Sequence, residues 1–324
     1  MNYAGIAPIF SRMRDRLRSA IQWRRVRAML AASMLAKWVL AAAAVAEPVL
    51  LSTFVAQPKP TPDATISYGP MPVQGIDIYL PKTKGPYPVV ILIHGGCWMK
   101  STAARDQLRL LGTELAHQGI AVWSIGYRRV DEEGGAYPGI FQDVAKAIDL
   151  LPTNAAKYNL DASRVVAVGH SAGAHLALWA ASRGQLPRTS PLYAPDPFPI
   201  RTVIAVGGLG DIERSGGVAG VCGPNIIAAL LGQPSSARPD VYSDTSPSKL
   251  LPNGAKVVMI TGAEDHVTPP AYSQTYVDEV KAVGGSAELV IVPDAAHFDV
   301  VTIGTPAWRA VKERILAALK EPKS

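Results

Sequence analysis

Gly169-His170-Ser171-Ala172-Gly173 stands between two stretches with different local preferences. Val165 to Val168 is apolar and mostly β-branched and reads as a short buried strand, whereas Ala174 to Ala181 reads as a helix. A strand that becomes a helix across so few residues needs a very tight turn, and the small residues flanking the serine meet that need. Such a turn holds the serine in a strained backbone conformation. Its hydroxyl is thereby presented at the carboxyl end of a sheet, above a helix N-terminus that favours a nearby negative charge.

The rest of the chain supplies the sheet. Val89-Val90-Ile91-Leu92-Ile93 is a continuous apolar run, as expected of a strand covered on both faces. Helical spacing follows at Leu108, Leu111, Leu115 and Ala116 and ends at Gly119; Ile120 to Ile125 is the next strand. Phe141, Val144, Ala145, Ile148 and Leu151 mark one face of a helix that Pro152 is expected to stop. Further strands are predicted over 203–206, 256–260 and 288–292, with helices over 272–283 and 307–319. Upstream, Ile66 to Tyr68 and Gln74 to Leu80 alternate as half-buried antiparallel strands do. This alternation predicts an α/β fold with a mostly parallel central sheet flanked by helices. Two segments interrupt it. Gln185 to Pro199 is proline-rich and carries Leu192, Tyr193 and Phe198; Gly207 to Pro252 is longer, carries Cys222 and has a short helix predicted over 225–231. Both are expected to shape a pocket, the second as a small cap insertion.

The N-terminus has a different character. Seven arginines between Arg12 and Arg27 precede an apolar stretch, Ala28 to Ala46, which is broken by Ser33 and Lys37 and ends Ala44-Val45-Ala46. That is the layout of a signal peptide, with an uncleaved N-terminal anchor as the alternative. The expected organisation is therefore a leader over 1–46 and a single domain over 47–324, exported to the periplasm or secreted. The leader holds eight of the 32 Lys and Arg and one of the 26 Asp and Glu, so the remainder carries 24 cations against 25 anions. No basic face is left to suggest nucleic acid, and no membrane association is expected once the leader is removed. The oligomeric state has no handle in the sequence.

A serine hydroxyl is a poor nucleophile near neutral pH unless a base takes its proton, and the base is usually a histidine oriented by a buried carboxylate. Of the six histidines, His297 follows the last predicted strand, in Pro293-Asp294-Ala295-Ala296-His297-Phe298, where it can reach the carboxyl end of the sheet. For the acid, Asp265 in Gly262-Ala263-Glu264-Asp265-His266-Val267 is preferred, with Glu264 as competitor. The order Ser171, Asp265, His297 is that of the α/β-hydrolase triad. His94-Gly95-Gly96-Cys97-Trp98 directly follows a predicted strand, and its glycines allow backbone N–H groups to turn toward a forming oxyanion. The expected donors are the N–H groups of Gly96, Cys97 and Ala172. Trp98 either lines the substrate pocket or packs; Tyr193 and Phe198 are the other pocket candidates. The only two cysteines, Cys97 and Cys222, either form a disulfide or remain separate buried thiols.

From about Val73 to Leu319 the chain resembles the α/β-hydrolase superfamily. His-Gly-Gly-Cys-Trp with Gly-His-Ser-Ala-Gly-Ala-His is similar to the esterase/lipase-like branch that includes kynurenine formamidases and related bacterial carboxylesterases. The chain departs from the hormone-sensitive-lipase-like esterases at Cys97, where they have a third glycine, and at His170, where they usually have aspartate. The resemblance implies a hydrolase that uses no cofactor and no metal and cleaves small-molecule carboxylic esters through an acyl-enzyme. Arylformamidase or peptidase activity with the same triad is the alternative. A ligand-binding protein that has kept the hydrolase fold is a third reading, disfavoured because the full triad is present.

Overall fold

The computed structural model describes residues 47–320, and the leader expected over 1–46 lies outside them. Among the described residues, eight strands form one sheet in the order β1-β2-β4-β3-β5-β6-β7-β8. The strands are β1 (Ala64–Ser67), β2 (Gly75–Tyr79), β3 (Tyr87–Ile93), β4 (Ala121–Ile125), β5 (Leu160–His170), β6 (Thr202–Val206), β7 (Lys256–Gly262) and β8 (Ala287–Val292). The β1–β2 and β2–β4 pairs are antiparallel, and from β4 onward every neighbouring pair is parallel. This is the α/β-hydrolase fold.

The continuous apolar runs have a simple cause. Successive side chains on a strand point to opposite faces, so a strand covered on both faces must be apolar throughout. Val89, Ile91 and Ile93 enter one core, together with Trp123, Ala167, Val203 and Met259. Val90 and Leu92 enter the other, with Val166, Val168, Ile204 and Ile260.

Eight α-helices accompany the sheet among the described residues: α1 (Leu51–Val55), α2 (Arg109–His117), α3 (Gly139–Asn154), α4 (Ala172–Ala181), α5 (Val218–Cys222), α6 (Ile226–Leu231), α7 (Pro270–Ala282) and α8 (Pro306–Lys320). The first core is covered by α3, α4 and α7 and the second by α2 and α8, which supply Phe141, Trp179 and Val277 to one and Leu115, Trp308 and Ile315 to the other. None of these helices is long and apolar enough to cross a membrane.

Two local expectations are corrected. Pro152 does not stop α3, which continues to Asn154 with the proline in its last turn. Pro152 removes one N–H donor from the last turn, and only Thr153 and Asn154 follow it in the helix. The second correction concerns 185–199. This segment joins the end of α4 to the start of β6, so it leaves from and returns to the amino end of the sheet. Residues 207–252 leave the carboxyl end of β6 and carry α5 and α6, forming the cap-like insertion.

Candidate active site

Ser171 sits between β5 and α4 with φ 54° and ψ −121°, a left-handed conformation that side chains other than glycine rarely adopt. The surroundings make the turn compulsory. A Cβ on Gly169 would lie 2.1 Å from the Gly173 carbonyl oxygen, and one on Gly173 would lie 2.2 Å from that of Ile93. Both flanking glycines are therefore required by space, as the tight turn predicts. The Ser171 N–H donates to the Val206 carbonyl at 2.9 Å, and the serine carbonyl accepts from Ala174 N–H at 2.9 Å, which fixes the residue through its backbone.

Beyond β7, Asp265 is buried and Glu264 is exposed. Asp265 Oδ1 accepts the N–H groups of Val267 and Thr268 at 2.9 and 2.8 Å, and Oδ2 accepts the Thr268 hydroxyl at 2.9 Å. His297, in the loop after β8, donates from Nδ1 to Asp265 Oδ2 at 2.8 Å. Burial alone would raise the carboxyl pKa. The hydrogen bond and charge of His297, with the two bonds from Thr268, outweigh burial and hold Asp265 below its ordinary value. An ionised Asp265 keeps the proton on Nδ1 and leaves Nε2 of His297 as the proton acceptor. Ser171 and His297 line the same cavity, of about 340 Å³.

The loop after β3 lies against this turn. A Cβ on Gly95 would come within 2.8 Å of the His170 carbonyl oxygen and 3.0 Å of Ser171 Cβ. Gly96, Cys97 and Trp98 all have positive φ, at 108°, 53° and 55°. Gly96 and Cys97 line the cavity with Ser171, and their N–H groups donate to no backbone carbonyl of the described residues. Ala172 opens α4, so its N–H belongs to the unpaired donors of a helix start. Cys97 is joined to Cys222 at the end of α5 by a disulfide, Cα–Cα 5.4 Å, which ties this loop to the cap-like insertion.

Of the pocket candidates, Trp98 is buried and packs edge-on against His175 with ring centroids 5.6 Å apart. It adjoins Ser171 and Cys222 from within the protein rather than lining the 340 Å³ cavity. Tyr193 lines a separate cavity against α3 and α4, with Phe141, Asp149 and Trp179. The Phe198 N–H donates to Asp149 on α3 at 3.1 Å. Neither residue lines the cavity at Ser171, because their segment belongs to the amino end of the sheet.

Three further histidines contribute structurally. His94 stacks on Tyr127, ring centroids 4.3 Å apart, and its Nδ1 donates to the Gly95 carbonyl at 2.8 Å. His170 donates from Nε2 to the carbonyl of His297 at 2.9 Å, so the residue preceding the serine holds the loop of the base. His175 donates to the Thr245 carbonyl at 2.9 Å and ties α4 to the cap-like insertion. Burial drives all three pKa values down, to about 3 for His94 and His170 and about 4 for His175, so each stays neutral in the folded state.

That neutrality predicts acid lability. Unfolded imidazole takes up a proton near pH 6.5, whereas these folded histidines do so only near pH 3 to 4. Between those limits the unfolded chain binds more protons, so stability falls as pH drops, by up to about 4 kcal/mol per pH unit for three such groups. Urea midpoints measured from pH 7.5 to 5 should decline steeply, and His175→Gln should reduce the slope by about a third. A flat profile would contradict these assignments.

Comparison with known proteins places the chain. Residues 76–280 match the BD-FAE family. The chain belongs to that family. It is similar to the rice probable isoprenylcysteine alpha-carbonyl methylesterase ICME (Oryza sativa subsp. japonica), 27% identical over 248 residues, covering 73% of this chain and 58% of that protein. It is also similar to the probable carboxylic ester hydrolase LipM of Mycobacterium tuberculosis, 26% identical over 240 residues, covering 72% and 54%. This BD-FAE chain thus spans little more than half the length of these curated relatives. Among solved structures, esterase B of Lactobacillus rhamnosis shares the fold with a TM-score of 0.68 at 22% identity, covering 90% of this chain and 96% of that one. A truncated form of a carbohydrate esterase from gut microbiota does so with a TM-score of 0.65 at 24% identity, covering 81% of this chain and 98% of that one. The BD-FAE chain lies in the esterase/carboxylesterase-like branch of the α/β-hydrolases.

Proposed function

We propose that this protein is a serine hydrolase that cleaves small carboxylic esters through an acyl-enzyme. The observation that carries this reading is the convergence of Ser171 and an Asp265-oriented His297 on one cavity beside the loop of Gly96 and Cys97. Ser171 Oγ attacks the ester carbonyl as His297 Nε2 takes its proton. Negative charge gathers on the carbonyl oxygen, where the N–H groups of Gly96, Cys97 and Ala172 are the proposed donors. The tetrahedral intermediate collapses to the acyl-serine, and the imidazolium, steadied by Asp265, gives its proton to the departing alkoxide. Water then enters; His297 deprotonates it, it attacks the acyl carbon, and the proton returns to Ser171 as the carboxylic acid leaves.

Methylesterase and carboxylic ester hydrolase names among the relatives support the ester as substrate. The elbow's likeness to kynurenine formamidases makes a formamide the second electrophile to try. Export through the leader over 1–46 is part of the proposal, supported by the leader's composition and by a disulfide that suits an oxidising compartment. The test is hydrolysis of p-nitrophenyl acetate and butyrate beside N-formylkynurenine, before and after one equivalent of a serine-directed phosphonate. Ester turnover that the phosphonate abolishes is expected. Folded protein that neither turns over these esters nor takes up the phosphonate would refute the reading.

A further inference from the structure

The cavity at Ser171 has one wall that the sequence does not announce. Leu51 and Phe54 line it from α1, together with the apolar Met99, Leu108, Val221 and Phe298. Among the described residues, no Asp, Glu, Lys or Arg lines this cavity; of its three histidines, His94 and His170 are held neutral by burial, and His297 is the proposed base. A charged group entering here would lose its hydration with no carboxylate, lysine or arginine on the cavity wall to replace it. An apolar chain would gain by burial.

Helix α1 is too short to be stable alone, yet it is fixed to the loop that carries His297. Phe54 is buried and stacks on Phe298 with ring centroids 5.3 Å apart. Before α1, the Val49 N–H donates to Asp299 Oδ2 at 3.3 Å; after it, Gln57 Nε2 donates to Thr302 Oγ1 at 3.1 Å. Val221, which also lines the cavity, is next to Cys222 and so anchored through the disulfide. Leu51 and Val221 line the cavity and remain 41% and 52% exposed, so the entrance itself is apolar. Leu51 and Phe54 both precede residues 76–280, so family membership says nothing about what this wall selects.

We infer that α1 is a specificity-determining wall for the apolar arm of an uncharged ester, with Phe54 setting the depth of the pocket and Leu51 the width of its entrance. This inference rests on the ester-hydrolase reading above. Phe54→Ala lengthens the space available to the arm, and Leu51→Trp narrows the way in.

The test compares kcat/KM across p-nitrophenyl acetate and octanoate, and across ethyl and octyl acetate, for the wild type and both variants. In one of the two series, Phe54→Ala should raise the long-to-short ratio about tenfold and Leu51→Trp should lower it by a similar factor, the order expected when a few methylenes gain or lose a pocket. A variant that is merely less stable lowers all esters together and leaves the ratios in place. Leu51 is partly exposed, so its variant remains informative if Phe54→Ala folds poorly. Unchanged ratios in both series, from a wild type that hydrolyses these esters, would overturn the wall. A wild type with no Ser171-dependent turnover would instead overturn the hydrolase reading beneath it.

Discussion

Ser171→Ala is expected to lower kcat for p-nitrophenyl ester hydrolysis by about 10⁶-fold, the scale on which a triad enzyme loses its nucleophile. The loss should come without unfolding. The serine is fixed by backbone hydrogen bonds to Val206 and Ala174, and both survive the substitution. Alanine carries the same Cβ, so the strained φ of 54° costs the variant no more than the wild type. Circular dichroism and urea midpoints should therefore match the wild type. Residual activity within a hundredfold would mean that another group attacks the carbonyl.

Asp265→Asn is expected to cost about 10⁴-fold in kcat, with a much smaller change in KM. An amide at this position can satisfy His297 Nδ1 in either of two ways, and presenting its NH₂ forces the proton onto Nε2. The ring then offers Ser171 a donor where it needs an acceptor. Oδ1 accepts two backbone N–H groups and Oδ2 accepts the Thr268 hydroxyl, so the surrounding turn favours an acceptor at both positions. The variant should also be less stable near neutral pH. The folded carboxyl titrates below its unfolded value, so the stability it contributes is present above about pH 4 and is lost as pH falls through the folded pKa. The two proteins should converge in stability in strong acid. A loss below tenfold would remove Asp265 from the triad; Glu264 is no substitute, because its side chain is exposed.

The parts of this molecule that were legible in the sequence are those whose physical demands are local. The turn at Gly169–Gly173 is specified by sterics within five residues, and the sheet core by apolar runs with two-residue alternation between faces. Asp265 and His297 were legible because each follows a strand and therefore reaches the same edge of the sheet. The rest depends on contacts distant in sequence. His170 serves by donating to a carbonyl 127 positions away, and nothing beside it in sequence signals that bond. Phe54 lies on a five-residue helix with no amphipathic period to read, and only its stacking on Phe298 gives it a place. Tyr193 and Phe198 were misplaced for a topological reason. A long apolar loop shapes the site only if it leaves the carboxyl end of a strand, and the segment over 185–199 follows a helix.

Rapid-quench analysis of p-nitrophenyl acetate hydrolysis, followed by mass measurement of the acid-trapped peptide containing Ser171, tests the acyl-enzyme most directly. The mechanism predicts a peptide heavier by one acetyl group, with the modification on Ser171, formed at a rate no slower than turnover. Steady ester hydrolysis with Ser171 unmodified, or with the acetyl group on another side chain, would contradict it.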